Sequence, residues 1–405
     1  MNRLRKNNSP VDSLSDVHVC ILINYLRRHH VLAFKAIEKR VGRLTILTST
    51  AMEGDRNWTP QWDGLDVQVQ KNFTLTLNRS SGFAEKNFVH LPYDTVGQLR
   101  RLRPDIVFSY EMGMRTLLSY CYKKTKPAVP LVLVGNMSRM LEVNRRYLRK
   151  TMRRYLASRV DYFTYNGPSC KEYLDDLGIA PGRQFFFPYC YDPSKVYSGE
   201  QSFSSDGVRR LLYCGNLTER KGILPFVEIL AEFCRERPTE RFRLEIAGYG
   251  PLSSTIEKLA RENLQINLLG ECGTDELIRC YRDSDFVVFP SHGDEWGLVP
   301  IEAWASGVPV IGSRLAQSVT THCKNGENGW IIDPFERESI YYALGEASAM
   351  DSVRWSQMSL ASRESVAGVS ADVSADSFCR ACESVLKLEP AFSQFPKKQN
   401  AVSSI

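Results

Sequence analysis

The stretch "FPSHGDEWGLVPIEAWASGVPVIGS", residues 289–313, decides how this chain is interpreted. Its spacing of apolar residues predicts a buried strand ending near Phe289, a helix, and a second strand over "VPVIGS". Two carboxylates, Asp294 and Glu302, stand on either side of the Gly-Leu-Val-Pro turn between the first strand and the helix. Acids are uncommon in such surroundings unless they are paired. These two side chains are therefore the first candidates for a functional site.

Apolar, β-branched runs alternate with helix-period segments on both sides of this stretch, which is typical of parallel sheets covered by helices. In the second half the expected strands are "RRLLYCG", "RFRLEIAG", "INLLG", "FVVFP", "VPVIGS" and "GWIID". In the first half they are "VHVCILI", "RLTILTS", "DIVFSY" and "PLVLVG". The sequence therefore predicts the α/β class, with a doubly wound second domain whose ligands lie at the carboxyl ends of its strands.

The chain divides into two large parts because residues 189–207 are polar, aperiodic and rich in serine. We expect five segments, which are a disordered N-terminus (1–15), an N-terminal domain (16–200), a C-terminal domain (205–370), a C-terminal helix that crosses back to the first domain (371–388) and a flexible tail (389–405). The length of 405 residues suits two domains of about 200 residues each.

Composition limits the class of protein. With 43% hydrophobic and 24% charged residues the chain has a globular composition, and its net charge of +6 favours anionic partners only weakly. The eleven cysteines are scattered and do not suggest a disulfide framework. The N-terminus lacks the apolar core of a signal peptide, and no apolar run is long enough to cross a membrane. We expect a cytoplasmic protein that does not bind nucleic acid.

A phosphate site is predicted at "YCGNLTERKGI", where a strand ends at Gly215 and a helix begins near Gly222. Arg220 and Lys221 lie at the helix N-terminus, where the macrodipole disfavours a cation by roughly 0.3–1 kcal/mol. Two cations with free backbone N–H groups suit a phosphate or diphosphate. An ordinary surface turn explains the same residues equally well. On this argument Lys221→Ala leaves the fold intact or stabilises it slightly.

The helix after the first strand of the opening stretch is expected to begin at Pro300, which would place Glu302 in its first turn. Acids are favoured there, so a simple dipole partner is the alternative role for Glu302. Asp294 lies eight residues earlier, in the loop. The two acids would then bracket three exposed backbone amides, those of Trp296, Gly297 and Leu298. A polyol phosphate fits such an arrangement.

The runs "GNLTERKGI", "IAGYGPL", "DEWGLVPIEAWASGVPVIGS" and "NGENGWIIDP" resemble, in order and spacing, the C-terminal half of retaining glycosyltransferases of family four. The resemblance covers roughly residues 209–345. It implies the GT-B architecture, in which two Rossmann-like doubly wound domains face a central cleft. The family motif is Glu, seven residues, Glu. Its second acid binds the nucleotide ribose, and its first lies against the donor sugar.

Carried over residue by residue, the resemblance makes Glu302 the ribose ligand and puts Asp294 beside the donor sugar. Lys221 matches the diphosphate-binding lysine, with Arg220 as its helper, because Asn216 stands where an arginine often follows the strand glycine.

Glu295 stands where the family has glycine. The expected catalytic residues are Asp294 and Glu302. The expected donor-binding residues are Gly215, Arg220, Lys221, Glu295, Trp296, Gly297, Leu298 and Glu302.

The implied activity is transfer of a sugar from a nucleoside-diphosphate sugar, of UDP or GDP type, to a saccharide or lipid-linked acceptor in polysaccharide or glycolipid biosynthesis. No covalent nucleophile stands out, which agrees with a mechanism in which the leaving diphosphate activates the acceptor. We expect no cofactor and no metal, since Asp283 and Asp285 lie between a helix and a strand. A nucleotide-sugar epimerase and a non-catalytic nucleotide-sugar-binding protein of the same fold remain alternatives.

The first half departs further from the family. The glycine-rich loop after the first strand is absent, and Gly135 and Asn136 occupy a strand end that can carry a histidine. Residues 27–30, "RRHH", suit either an anion contact or a solvated basic face, and Glu111 is an acceptor-site candidate. Residues 145–159 form a basic, helix-period segment that suits either an anionic membrane surface or packing on the first sheet.

Overall fold

The computed structural model describes residues 13–53, 60–79, 85–142 and 147–388. The expected flexible tail, residues 389–405, lies outside this range, as does most of the expected disordered N-terminus. The prediction of disorder up to residue 15 extends too far, because a short 3-10 helix spans Leu14–Asp16 and Leu14 is buried.

The first domain is built on a seven-stranded sheet, and all pairings in it are parallel. Residues 13–186 contain nine strands, namely β1 His18–Ile23, β2 Arg43–Thr48, β3 Val67–Val69, β4 Phe73–Arg79, β5 Glu85–Leu91, β6 Ile106–Tyr110, β7 Leu131–Val134, β8 Tyr162–Tyr165 and β9 Gln184–Phe186. The sheet order is β3-β2-β1-β6-β7-β8-β9, while β4 and β5 form a separate antiparallel hairpin. The strands β1, β6 and β7 are buried along their whole length, as continuous apolar runs in a sheet covered on both faces must be.

The second domain is built on a six-stranded parallel sheet in the order β12-β11-β10-β13-β14-β15. Its strands are β10 Val208–Cys214, β11 Arg241–Ala247, β12 Leu264–Gly270, β13 Phe286–Phe289, β14 Val310–Ser313 and β15 Gly329–Ile332. All six were predicted from the sequence, with ends that differ by no more than two residues. In the first domain the prediction covered β1, β2, β6 and β7 but missed β3, the β4–β5 hairpin, β8 and β9.

Helices cover both sheets. Those of the first domain are α1 Arg28–Glu38, α2 Thr95–Leu102, α3 Met114–Thr125, α4 Arg139–Glu142, α5 Tyr147–Ala157 and α6 Pro168–Asp176. The second part of the chain adds α7 Ile223–Glu236, α8 Ser253–Glu257, α9 Thr274–Arg282, α10 Leu298–Ala305, α11 Gln317–His322, α12 Arg337–Ser348, α13 Ser352–Ser365 and α14 Ala371–Leu386. This alternation gives two Rossmann-like α/β domains, which confirms the predicted fold class.

The last helix, α14, packs against the first domain rather than the second. Its Phe378 is fully buried, with its ring centroid 4.3 Å from that of Phe108 in β6. Arg40, just after α1, pairs with Asp372 at 2.8 Å and with Asp376 at 3.0 Å. The two domains are therefore joined twice, by the segment between β9 and β10 and by the chain that enters α14.

Within the described residues, no helix combines the length and the apolar character needed to cross a bilayer. All eleven cysteines lie in the described ranges, and each of them is a free thiol there.

Candidate active site

The strand order of the second sheet reverses between β10 and β13, which pair directly through Leu211 and Phe286. The loops that leave these two strands run in opposite directions, and such a switch point opens a crevice at the carboxyl ends of the strands. The loop after β10 carries residues 215–221, and the loop after β13, which we call the β13 loop, comprises residues 290–297. All of the predicted site residues except Leu298 and Glu302 lie in these two loops.

Glycine is required where the strand ends meet in the crevice. Gly215 has a φ of +148°, and a Cβ on Gly248, at the end of β11, would collide with the carbonyl oxygen of Gly215. A side chain at Gly248 would therefore push the two turns apart. The predicted role of Gly215, close approach of the backbone, fits this geometry.

A cation from one loop meets a carboxylate from the other. The Nζ of Lys221 lies 2.5 Å from Oδ2 of Asp294, and the nearest guanidinium nitrogen of Arg220 lies 3.9 Å from the same oxygen. Arg220 also donates a hydrogen bond to the carbonyl of Gly293 at 2.9 Å. The Lys221 and Asp294 side chains are each about one-fifth exposed. The crevice thus holds two cations and one acid within reach of solvent.

Burial raises the pKa of the Asp294 carboxyl, but the Lys221 ammonium and then Arg220 outweigh burial and hold this pKa below its ordinary value. The Trp296 backbone amide adds a hydrogen bond to the same carboxylate. Trp296 was expected to present a free amide to a ligand. In this structure its indole is buried, with its ring centroid 5.8 Å from that of Tyr189.

Helix α10 begins two residues earlier than predicted. Its first residue is Leu298, directly after Gly297, which has a φ of +90°. Pro300 is therefore the third helical residue and Glu302 the fifth, so the prediction that Pro300 opens the helix was wrong. Because the macrodipole effect falls off within the first turn, a dipole partner is a poor explanation for Glu302.

Glu302 is a buried acid with few partners. It accepts a hydrogen bond from the Tyr281 hydroxyl at 3.3 Å and is only 8% exposed. Burial raises its pKa, and the Lys195 ammonium, on the segment between the domains, opposes that rise. A buried carboxylate that is not fully paired is costly. Hydroxyl groups of a ligand would supply the missing donors.

Glu295 does not face the crevice. Its Oε2 accepts a hydrogen bond from the backbone N–H of Ser138, in the first domain, at 2.7 Å. The structure therefore brings Arg220, Lys221 and Asp294 together, buries Glu302 on α10, and turns Glu295 toward the other domain.

The basic run of the first domain is only partly solvated, because Arg27 is exposed whereas Arg28 is paired and His29 is buried. Arg28 pairs with Asp63 at 2.5 Å and with Asp192 at 3.4 Å. His29 is buried, and burial holds its pKa well below the ordinary value, with His30 and Arg27 adding to that effect. A neutral histidine and a paired arginine give little attraction for an anion.

Sequence reasoning named Glu111 but missed its partners at the carboxyl ends of β1 and β6, where the order of the first sheet reverses. Asn24, directly after β1, donates to both carboxylate oxygens of Glu111 at 3.1 and 3.3 Å. The buried Arg115 donates to Asn24 and, at 3.0 Å, to the hydroxyl of Ser49. Glu111 has a φ of +68°, a conformation that non-glycine residues hold chiefly where function or packing demands it. The position of Asn24 at a strand end was the available signal.

The site residues fall within a recognised family. Residues 208–349 match the sequence model of the family described as Glycosyl transferases group 1. This range contains the whole second sheet together with both loops of the crevice. The second domain is therefore similar to the domains of that group.

Curated relatives share this domain. A D-inositol 3-phosphate glycosyltransferase of Corynebacterium efficiens is 29% identical over 166 residues, which is 38% of this chain and 38% of that protein. Another, from Acidothermus cellulolyticus, is 32% identical over 146 residues, or 33% of this chain and 32% of that protein. The matched region spans well under half of these relatives.

Solved structures resemble the chain over both domains. Sucrose-phosphate synthase from Thermosynechococcus elongatus gives a TM-score of 0.67 at 13% identity, covering 92% of this chain and 99% of that one. The lipopolysaccharide outer core galactosyltransferase WaaB gives 0.69 at 14% identity, covering 91% and 99%. HepE from Anabaena, in complex with UDP, gives 0.66 at 14% identity, covering 91% and 100%. These likenesses confirm the GT-B architecture.

The structure reverses the expectation for Lys221→Ala. Removing the ammonium leaves the Asp294 carboxylate with Arg220 at 3.9 Å as its nearest cation, so the variant should lose about 1–2 kcal/mol of stability at pH 7. Lys221 holds the pKa of Asp294 below its ordinary value. The contribution of Lys221 to the free energy of unfolding is therefore fully present above the ordinary pKa of Asp294 and is lost as the pH falls through the lowered pKa. Urea unfolding of the variant and the wild type between pH 3 and 8 measures the difference.

The matched control is Lys171→Ala, which breaks an exposed pair with Asp175 at 3.0 Å and should cost less than about 0.5 kcal/mol. A stability of Lys221→Ala equal to or above that of the wild type at pH 7 would contradict the pairing. Part of the loss should return in the double variant Lys221→Ala/Asp294→Asn, because no charge is then left without a partner.

Proposed function

We propose that the protein is a retaining glycosyltransferase that moves a sugar from a nucleoside-diphosphate sugar to a hydroxyl group of a saccharide or lipid-linked acceptor, in polysaccharide or glycolipid assembly. The contact that carries this proposal is the pair between Lys221 and Asp294, with Arg220 beside it, at the switch point of a glycosyltransferase domain. In the ligand-free chain the acid neutralises the ammonium. A diphosphate, which carries more negative charge, would compete for both cations.

Each site residue has a role in this proposal. Lys221 and Arg220 hold the diphosphate, Glu302 accepts hydrogen bonds from the ribose hydroxyls, and Asp294 turns from Lys221 to the donor sugar. When the ligand binds, no charged group loses its partner. The ammonium gains the diphosphate, and the carboxylate gains hydrogen bonds from sugar hydroxyls. Charge-assisted hydrogen bonds of this kind contribute about 1.5–3 kcal/mol each.

The proposed reaction needs no covalent enzyme intermediate. The bond between the anomeric carbon and the diphosphate oxygen breaks, and the acceptor oxygen bonds to the same face of the sugar. The proton of the acceptor hydroxyl passes to the departing diphosphate oxygen. The chain contributes positioning of the two substrates and stabilisation of the charge that develops on the leaving group.

For the donor, the HepE complexes with UDP and UDP-glucose favour a UDP sugar over a GDP sugar. For the acceptor, the pairing of Arg28 and the neutral state of His29 favour an uncharged hydroxyl group near that part of the first domain.

We also propose that helix α5 rests on an anionic membrane at the cytoplasmic side. Its Met152 and Tyr155 are 48% and 49% exposed, and the guanidinium of Arg159 lies over the Tyr155 ring at 5.0 Å. The adjacent face of α5 packs inward through Arg153 and Leu156. Exposed apolar side chains among cations are typical of a helix that lies in a lipid interface. A lipid-linked acceptor would then approach the cleft from that side.

Two carboxylate variants separate nucleotide recognition from sugar recognition. Glu302→Gln should weaken UDP and a UDP sugar alike, by roughly tenfold or more, because it loses charge-assisted bonds to the ribose. Asp294→Asn should bind UDP as tightly as the wild type or more tightly, since Lys221 is released, while turnover of the sugar donor falls. Calorimetric titration with both ligands, together with product assays, measures these effects.

The control for both variants is Glu327→Gln, which changes an exposed acid outside the crevice and should alter neither ligand. Equal losses of UDP and UDP-sugar affinity in Asp294→Asn would rule out its role at the sugar. If both carboxylate variants changed only the melting temperature, the acids would be structural.

Membrane contact is tested by sedimentation with vesicles. Wild-type protein should bind phosphatidylglycerol vesicles at least tenfold more strongly than phosphatidylcholine vesicles. Met152→Ala/Tyr155→Ala should lose most of that binding, because burial of each side chain contributes about 1–2 kcal/mol. The matched control, Tyr342→Ala/Leu360→Ala, removes two equally exposed side chains from the second domain and should bind as the wild type does. Equal binding by all three proteins would refute the role of α5.

A further inference from the structure

The β13 loop contacts the first domain as well as the crevice. The Glu295 carboxylate accepts the Ser138 backbone N–H at 2.7 Å, across 157 residues of sequence. Ser138 lies between β7 and α4 and is completely buried. This hydrogen bond therefore crosses the cleft at the residue next to Asp294.

Further contacts between the domains surround this hydrogen bond. We call these contacts, together with the bond itself, the seam. Gln317, the first residue of α11, accepts the Cys170 backbone N–H at 2.9 Å and donates to Asn166 at 3.3 Å. It also donates to the backbone carbonyl of Glu295 at 2.8 Å. A Cβ on Gly167 would lie 2.7 Å from the Trp296 ring, so the indole packs against bare backbone there. The β13 loop thus forms one side of the seam.

Glu295 is a half-buried acid within the seam. Among the described residues its Oε2 has the Ser138 amide as its partner, and no hydrogen bond to its Oε1 is made. The titratable groups that face it come from several elements, namely Glu142 of α4, Arg153 of α5, Cys170 of α6, Tyr189 of the segment between the domains, and the neighbouring Asp294. Arg153 is itself paired with Glu142. Burial raises the pKa of Cys170 and of Tyr189 to about 12, so both are neutral.

We infer that Glu295 is a positioning residue, whose hydrogen bond to the Ser138 amide holds the β13 loop against the first domain and keeps the cleft closed. This inference deepens the proposed function. It rests on that function only for the purpose that closure of the cleft serves. A residue without a side-chain acceptor at this position could not make the bond. The donor loop and the strand-end loop of the first domain would then be free to separate.

The same geometry makes closure depend on pH. Burial raises the pKa of Glu295 to about 7, with Glu142 and Asp294 adding to the rise and the Ser138 amide and Arg153 opposing it. In an open cleft the carboxyl would be solvated, with an ordinary pKa of about 4.3. The closed form therefore binds a proton that the open form has released. Closure is favoured at low pH and weakens as the pH rises through about 7, by roughly tenfold between pH 6 and pH 8.

Hydrogen exchange at Ser138, measured by mass spectrometry on peptides that contain this amide, tests the inference without any nucleotide. After correction for the intrinsic exchange rate, the wild-type protection should fall about tenfold from pH 6 to pH 8. Glu295→Gln keeps an acceptor oxygen but does not titrate, so its protection should be the same at both pH values. In Glu295→Ala the protection of the Ser138 amide at pH 6 should be at least tenfold lower than in the wild type.

Two controls make the result specific. Glu262→Gln changes an exposed acid of the second domain and should exchange as the wild type does, and peptides from β10 should be unchanged in every variant. Wild-type protection in Glu295→Ala would overturn the positioning role. The same pH dependence in the wild type and Glu295→Gln would overturn the assignment of the titrating group. Because no donor is present, neither result depends on whether the protein transfers a sugar.

Discussion

The ion pair between Lys221 and Asp294 joins the two loops on which the proposed chemistry depends. The two residues are 73 positions apart in sequence, and they meet because β10 and β13 are neighbours at the point where the sheet order reverses. Their separation of 2.5 Å places a cation where the helix dipole alone would disfavour one. The carboxylate offsets that cost in the free protein. In the complex a diphosphate would offset the same cost. In the free protein Asp294 therefore takes the place of the ligand beside Lys221.

The β13 loop carries two constraints at once. Asp294 faces Lys221 in the crevice, while the next residue, Glu295, faces the Ser138 amide of the other domain. The two adjacent side chains point to opposite sides of the loop, so one short loop contacts both domains. A movement of one domain relative to the other would therefore shift the backbone between these two acids and so change the position of Asp294 in the donor site. This arrangement links the closing of the cleft to the state of the crevice.

Much of the fold could be predicted because its signals are local. The strands of the second domain carry apolar runs or alternations next to glycine or proline, and all six were found. The β4–β5 hairpin was missed although "FTLTLNR" alternates apolar and polar residues, which is a strand signal. The short edge strand Gln184–Phe186 gave too little pattern to detect. The start of α10 was misplaced because Pro300 is favoured at a first helical position, whereas the positive φ of Gly297 ends the loop earlier.

The sequence named the residues of the candidate site but not the contacts that they make. Local spacing and family resemblance identified Lys221, Asp294 and Glu302, since each stands near a strand end or a helix start. Neither could show that Lys221 pairs with Asp294 or that Glu295 crosses to Ser138. Those contacts join residues far apart in sequence and depend on how the two sheets are placed. The sequence accordingly predicts no loss of stability in Lys221→Ala, whereas the ion pair in the structure predicts one.

The most direct measurement is a calorimetric comparison of nucleoside diphosphates with their parent nucleosides, UDP with uridine and GDP with guanosine. If the crevice recognises a diphosphate through Lys221 and Arg220, one diphosphate should bind at least tenfold more tightly than its nucleoside at low salt. That advantage should shrink as the ionic strength rises, because both cations are partly exposed. Equal affinity of each diphosphate and its nucleoside, or a preference that Lys221→Ala leaves unchanged, would contradict the assignment of the site.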